Sequence, residues 1–171
     1  GKIVKCVLDC AESTSNFTID GAAVEAGDLR SKYEKGDDYG MSAIGTKEWY
    51  VQADSFAKLV EGKTIDEVKA LMAEDYKGTA DVVNAGCTIY VSGFVKAIEA
   101  AVANAADSKA TADSTLKLGV VTSQTNSETK IELATTVVAT ALDEESKVVV
   151  ASTDAVSASF EFDEKGVCLT D

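Results

Sequence analysis

The stretch Asp81-Val-Val-Asn-Ala-Gly-Cys-Thr-Ile-Tyr-Val-Ser-Gly-Phe-Val-Lys-Ala-Ile-Glu-Ala-Ala-Val102 decides how this chain is read. From about Ser92 to Asn104, Phe94, Ala97, Ile98, Ala101 and Val102 recur at helical spacing, which predicts a helix with one inward face. Just before it stand the small residues Ala85, Gly86 and Cys87 and one hydroxyl, Thr88. Gly86 allows a tight turn and a close backbone approach. A hydroxyl ahead of a helix start has two uses. It can satisfy nearby backbone groups, or it can carry an anion toward free N–H groups and the positive end of the helix dipole.

Upstream, Thr46 to Glu61 predicts a second helix, with Trp49, Ala53, Phe56, Ala57 and Val60 on one face and Gly62 as its stop. Thr64-Ile-Asp-Glu67 fits a capping box and opens a short helix carrying Ile65, Val68 and Leu71. Residues 2–8 and 16–20 read as strands, and Gly21 to Asp38 as a loop with a turn of helix. Downstream, 106–116 is a polar linker of small residues. Strands are expected at about 118–123, 131–142, 146–153 and 156–162, with a hairpin turn at Asp143–Ser146. The predicted fold is α+β: an antiparallel sheet drawn from both chain ends, packed against about three helices.

Composition narrows the function classes. Acidic residues outnumber basic ones 29 to 16, a net charge of −13. Phosphate backbones and anionic membrane surfaces repel such a chain, so nucleic acid is not an expected partner. His is absent, which removes a Ser-His triad and the commonest metal ligand. The cysteines Cys6, Cys10, Cys87 and Cys168 include no CxxC pair. In a strand, Cys6 and Cys10 lie about 13 Å apart, too far for a disulfide. They read as small buried residues, and Cys10 with Cys168 is the first pairing to check. Asp37-Asp38 and Glu144-Glu145 read as solvated turns, and Lys63-Thr64 lacks the upstream glycines of a phosphate loop.

Lys2-Ile-Val-Lys-Cys-Val-Leu-Asp9 lies over Lys147-Val-Val-Val-Ala-Ser-Thr-Asp154, and after a two-residue gap Asn16–Asp20 lies over Ser159–Asp163. On this reading the chain begins midway through one repeat and ends midway through the next, as a processed or excised product would. Such a chain either completes one fold from both ends or lends strands to a neighbouring copy, which builds filaments where the contact does not close.

Three segments in order resemble the FMN-binding domain family, whose members include tandem-repeat surface lipoproteins of Gram-positive anaerobes. Glu34-Lys-Gly-Asp-Asp-Tyr-Gly-Met41 is similar to the family's Gly loop, Trp49–Thr64 to its helix closing on Gly-Lys, and Asp81–Val102 to its attachment segment. Ala85 and Cys87 depart from the attachment motif, and Tyr90 stands where a hydroxyl residue is common. The resemblance covers about residues 1–105, with 106–117 as linker and 118–171 as the first half of a second repeat. It implies FMN esterified to Thr88, with Gly86, Cys87 and Asp81 around the attachment. Tyr39, Gly40, Met41 and Trp49 would lie near the ring. It further implies an electron carrier rather than an enzyme, at the cell surface, partnered by a flavin transferase and redox proteins. The alternative is a structural surface protein that keeps the domain without flavin and assembles as a homo-oligomer or filament through strand exchange.

Overall fold

In the computed structural model, residues 1–16, 25–127 and 129–170 are described. The chain is α+β, with its helices in the N-terminal part and an antiparallel sheet in the C-terminal part.

A two-residue ladder, β1 (Ser15–Asn16) against β2 (Glu25–Ala26), leads to the one-turn helix α1 (Lys32–Lys35). The strand expected over 16–20 meets the ladder only at Asn16, and the rest of it lies outside the described residues. Helix α1 carries a capping box not anticipated from sequence: Glu34 N–H donates to Ser31 Oγ (3.1 Å) and Ser31 N–H to the Glu34 carboxylate (3.0 Å). Two 3₁₀ turns follow, Gly36–Tyr39 and Met41–Ala43, joined at Gly40 with φ 72°.

Helix α2 (Trp49–Val60) starts three residues later than expected. Glu48 has extended backbone, and its carboxylate is taken by the N–H groups of Met41 (2.9 Å) and Ser42 (3.0 Å), which holds the helix start back. The box at Thr64 and Glu67 forms as read and opens α3 (Ile65–Lys69). Helix α4 (Ala80–Ala85) has no counterpart in the sequence reading; it buries only Val82 and so shows no periodic stripe. Helix α5 (Ser92–Ala103) falls where predicted and buries Phe94, Val95 and Ile98, but Ala97, Ala101 and Val102, expected inward, are exposed.

The core gathers Trp49, Phe56 and Val60 with Val68, Val82, Val91, Phe94 and Ile98, so it is a helical core. Trp49 meets Phe94 edge-on at 5.6 Å. Burying a side chain such as Phe56 fully stabilises the fold by about 1.5–3 kcal/mol.

The sheet has the order β3 (Thr115–Asn126), β4 (Lys130–Leu142), β5 (Val148–Glu161), all antiparallel. The first three residues of β3 were read as linker. The two short strands expected over 146–162 are one strand, because Asp154 and Ala155 continue the ladder opposite Val137 and Thr136 of β4. The Asp143–Ser146 turn forms as read: Asp143 Oδ1 accepts from the N–H groups of Glu145 and Lys147, both at 2.9 Å. Leu116, Leu118, Val120 and Thr122 share a half-buried face with Ala141, Ala139, Val137 and Thr135 opposite them.

Residues 2–8 correct the expectation of a sheet built from both chain ends. They run along the helices instead of joining the sheet, with Ile3, Cys6 and Leu8 against the helical core. Their backbone is tied near the ends of the run: Ile3 N–H donates to Lys63 O (2.9 Å), Gly62 N–H to Ile3 O (2.7 Å), and Lys32 N–H to Cys10 O (2.9 Å). A groove of about 740 Å³ separates this segment and α5 from Leu118, Val137 and Val156 of the sheet.

Candidate functional site around Thr88

Helix α4 ends on Gly86 at φ 103°, with the N–H of Gly86 bonded to Val83 O (3.0 Å) and that of Cys87 to Val82 O (3.1 Å). The turn sends successive side chains opposite ways. Cys87 enters the core with no exposure, and burial pushes its thiol above the ordinary range. Thr88 emerges into solvent four positions before α5 begins.

Gln52 of α2 organises the surface around Thr88. It is 1% exposed, and its Oε1 accepts both the Thr88 N–H (2.8 Å) and the Thr88 hydroxyl (3.0 Å). Its Nε2 donates to Lys47 O (2.9 Å) and approaches Met41 Sδ at 3.6 Å. One buried amide thus joins Met41, Lys47 and Thr88. The Lys47 ammonium lies over Gly86: a Cβ there would stand 2.5 Å from Nζ and 3.4 Å from Ser55 Oγ. Among the described residues no side chain caps α5, whose N-cap is Val91, and the N–H groups of Ser92, Gly93 and Phe94 have no protein partner. The arrangement offers an accessible hydroxyl, a cation on the adjoining turn and free donors one turn along the chain. Chemically, that suits a phosphoester.

The other residues read from sequence divide. Met41 is half-buried and shares Gln52 with Thr88. Tyr39 is also half-buried; its hydroxyl donates to Glu12 Oε1 (3.4 Å), and the Lys32 ammonium sits 5.0 Å from its ring centre. Gly40 sets the turn between them. Trp49, at 4% exposure, belongs to the core and offers no ring face to a ligand, which removes it from the site. Asp81 is exposed on the first turn of α4 and hydrogen-bonds none of these groups. Glu48 fixes the Met41 turn, and the Ser42 hydroxyl, then the Ser42 and Met41 N–H groups, hold its carboxyl below the usual range against its burial.

Asp37 and Asp38 serve other partners: Tyr50 donates its hydroxyl to Asp37 (3.2 Å), and Arg30 pairs with Asp38 (3.1 Å). All four cysteines are free thiols, including Cys10 and Cys168. Among the described residues no group of His, Cys, Asp and Glu could hold a metal ion, and no helix is long and apolar enough to cross a membrane.

Lys47 and Gln52 were absent from the sequence reading. Lys47 carries no signal of its own, since a lysine before a helix is commonplace. Gln52 does: it falls on the Trp49, Phe56 and Val60 stripe as its polar member, and a buried amide needs partners. No protein-family model matches the chain, and no curated protein and no solved structure matches it either.

Proposed function

We propose that this chain is a flavin carrier in which FMN is esterified to the Thr88 hydroxyl. The observation that carries the reading is the exposed Thr88 hydroxyl on the Gly86 turn, with the Lys47 ammonium against that turn. Attachment replaces the Thr88 O–H with an O–P bond. A separate flavin transferase supplies the FMN phosphoryl group from FAD, and AMP leaves with the proton balance of a simple exchange at phosphorus. Lys47 and the free N–H groups of α5 favour the resulting anion. Tyr39 and Met41 supply apolar surface for a flat ring. The flavin brings the redox chemistry, and the protein positions it. A covalent link also overcomes the repulsion between an anionic cofactor and a chain of net charge −13. The setting proposed is the cell surface, with redox proteins as partners.

Co-expression with a flavin transferase, followed by intact mass and peptide mapping, tests this. The expected result is a gain of one FMN less one water on the Thr88 peptide, kept in Thr88→Ser and lost in Thr88→Ala. Unmodified protein, from cells in which the same transferase loads a control substrate, rejects it.

A second reading, a structural surface protein assembling with copies of itself, is favoured by a separate observation. Strand β5 is exposed from Ala151 to Glu161, and among the described residues no strand pairs with its outer edge, which only Leu169 and Thr170 meet, at Glu161.

A further inference from the structure

Residues 4–8 carry backbone N–H and C=O groups with no hydrogen-bond partner among the described residues, although Cys6 and Leu8 in the same run pack on the helical core. The run is tied at Ile3 and Cys10 and left open between them. Its sequence lies over Lys147–Asp154, the turn residue Lys147 and the first half of β5. That counterpart is paired, with β4 as its neighbour.

We infer that residues 2–9 are the acceptor strand for β4 of a second copy of this chain, taken up in the register that β4 makes with β5. Val150 faces Ala141, Ala151 faces Thr140 and Ser152 faces Ala139. The repeat carries these pairings to Lys5 against Ala141, Cys6 against Thr140 and Val7 against Ala139 of the second copy.

Two features fit this occupant. The first is charge. The β4–β5 turn is acidic, Asp143-Glu144-Glu145, and within one chain Lys147 answers it through an ion pair with Glu145. In the exchanged pairing Lys2 takes the place of Lys147, with Lys5 close behind it. The second is the uncovered sheet face. Cys6 and Leu8 point toward the helices. In the inferred register they share a face with Thr140 and Val138 of β4 and, beyond them, Val121 of β3. Val121 is 68% exposed and Val138 36% exposed in the single chain, and the helical layer of the acceptor copy would cover both. In that register residues 3–9 take over only the part of the β4–β5 ladder from Leu142 to Val137, leaving the rest of β5 on β4, and the exchange adds apolar burial, because β5 buries almost nothing beyond its first residues. The inference deepens the self-assembly reading and is independent of Thr88.

The test uses two full-length chains with the native cysteines replaced (Ser at Cys6, Cys10 and Cys168, Ala at Cys87). One carries Val7→Cys and the other Ala139→Cys. Residues directly opposite in an antiparallel pair have Cα atoms about 4.5–5.5 Å apart, which suits a disulfide. Mild oxidation of the mixture should yield heterodimers joined by a disulfide between positions 7 and 139. They should form at least about tenfold faster than in a mixture using Val138→Cys, which points to the other face. Equal rates overturn the inference. So does a chain bearing both Val7→Cys and Ala139→Cys that links only within itself. Light scattering on the cysteine-intact protein provides a second measurement. Lys2→Glu with Lys5→Glu should abolish dimers, and adding Asp143→Lys with Glu145→Lys should restore them; dimers indifferent to all four changes overturn the pairing. Because assembly is read by scattering and register by cross-linking, copies that associate without a disulfide between positions 7 and 139 leave self-assembly standing and remove this strand pairing.

Discussion

Replacing Gln52 by Met tests whether a single buried amide holds the Thr88 turn. The side chains have similar volume, so the packing of α2 against the core is retained and the hydrogen bonds are removed. Three contacts of hydrogen-bonding distance disappear: Thr88 N–H (2.8 Å), the Thr88 hydroxyl (3.0 Å) and Lys47 O (2.9 Å). A typical intramolecular hydrogen bond contributes about 1 kcal/mol net, and a group left dry costs more. Thr88 and Lys47 are both exposed residues, so water can reach their released groups and the larger penalty is avoided. The expected loss is therefore about 2–3 kcal/mol, seen as a lower urea midpoint with an unchanged slope. Hydrogen exchange at the Thr88 amide should accelerate by more than the global destabilisation accounts for, since its partner is gone. A loss below about 0.5 kcal/mol, within the range of ordinary surface changes, would refute the claim that Gln52 organises this turn. Unaltered exchange at Thr88 would refute it equally.

Other consequences follow from the same geometry. Gly86→Ala should cost about 1–2 kcal/mol in thermal or urea unfolding, because φ 103° is a left-handed conformation that Cβ disfavours; Lys47 swings aside easily and adds little. Thr64→Ala should cost about 1 kcal/mol by removing the cap of α3. The Glu67 carboxyl is held below its ordinary value, chiefly by the Thr64 N–H. Its share of stability is therefore full above the ordinary Glu range and lost as pH falls through the lower folded value. The backbone N–H stays in Thr64→Ala, so both proteins should lose stability in acid urea titrations, and the gap between them should narrow only by the smaller part due to the Thr64 hydroxyl. Alkylation followed by peptide mapping at mildly alkaline pH should modify exposed Cys168 first. Burial, then Glu61, pushes the Cys6 thiol up to about 11 from 9.0, which alone slows it by about 100-fold.

The legible parts of the chain were those in which one periodic stripe meets one core. Helices α2 and α5 announced themselves through Phe56, Val60, Phe94 and Ile98, and α3 through its capping box, because these signals are local. The small-residue turn at Gly86, with Thr88 ahead of α5, was legible for the same reason. Helix α4 was illegible because six residues with one buried side chain make no period. The polar half of the site, Lys47 and Gln52, reaches Thr88 from a different element, and no spacing rule spans that distance. The strand at 2–8 was misplaced for a different reason. Its apolar residues are strand-like, but pairing is a property of two segments, and this one found the helices rather than the sheet. Helix α5 shows the same limit on its other side, where Ala97, Ala101 and Val102 read as inward and face the groove.

The turn at Gly86 bears on how the flavin reading can be separated from a purely structural role for Thr88. Burial of Cys87 alone is enough to turn the next side chain outward, so exposure of Thr88 is a product of the core and proves no chemistry. The hydrogen bonds are more telling. Gln52 Oε1 accepts the Thr88 N–H as well as the hydroxyl, so removing the hydroxyl still leaves this buried oxygen with a donor. The hydroxyl is thus nearly redundant for the fold. Thr88→Val keeps the shape and the N–H bond, so it should cost less than about 1 kcal/mol in urea unfolding. The same variant must lose any phosphoester completely. A protein in which Thr88→Val unfolds as readily as Gln52→Met would place the hydroxyl among the structural groups, and the case for an attachment site would fall with it.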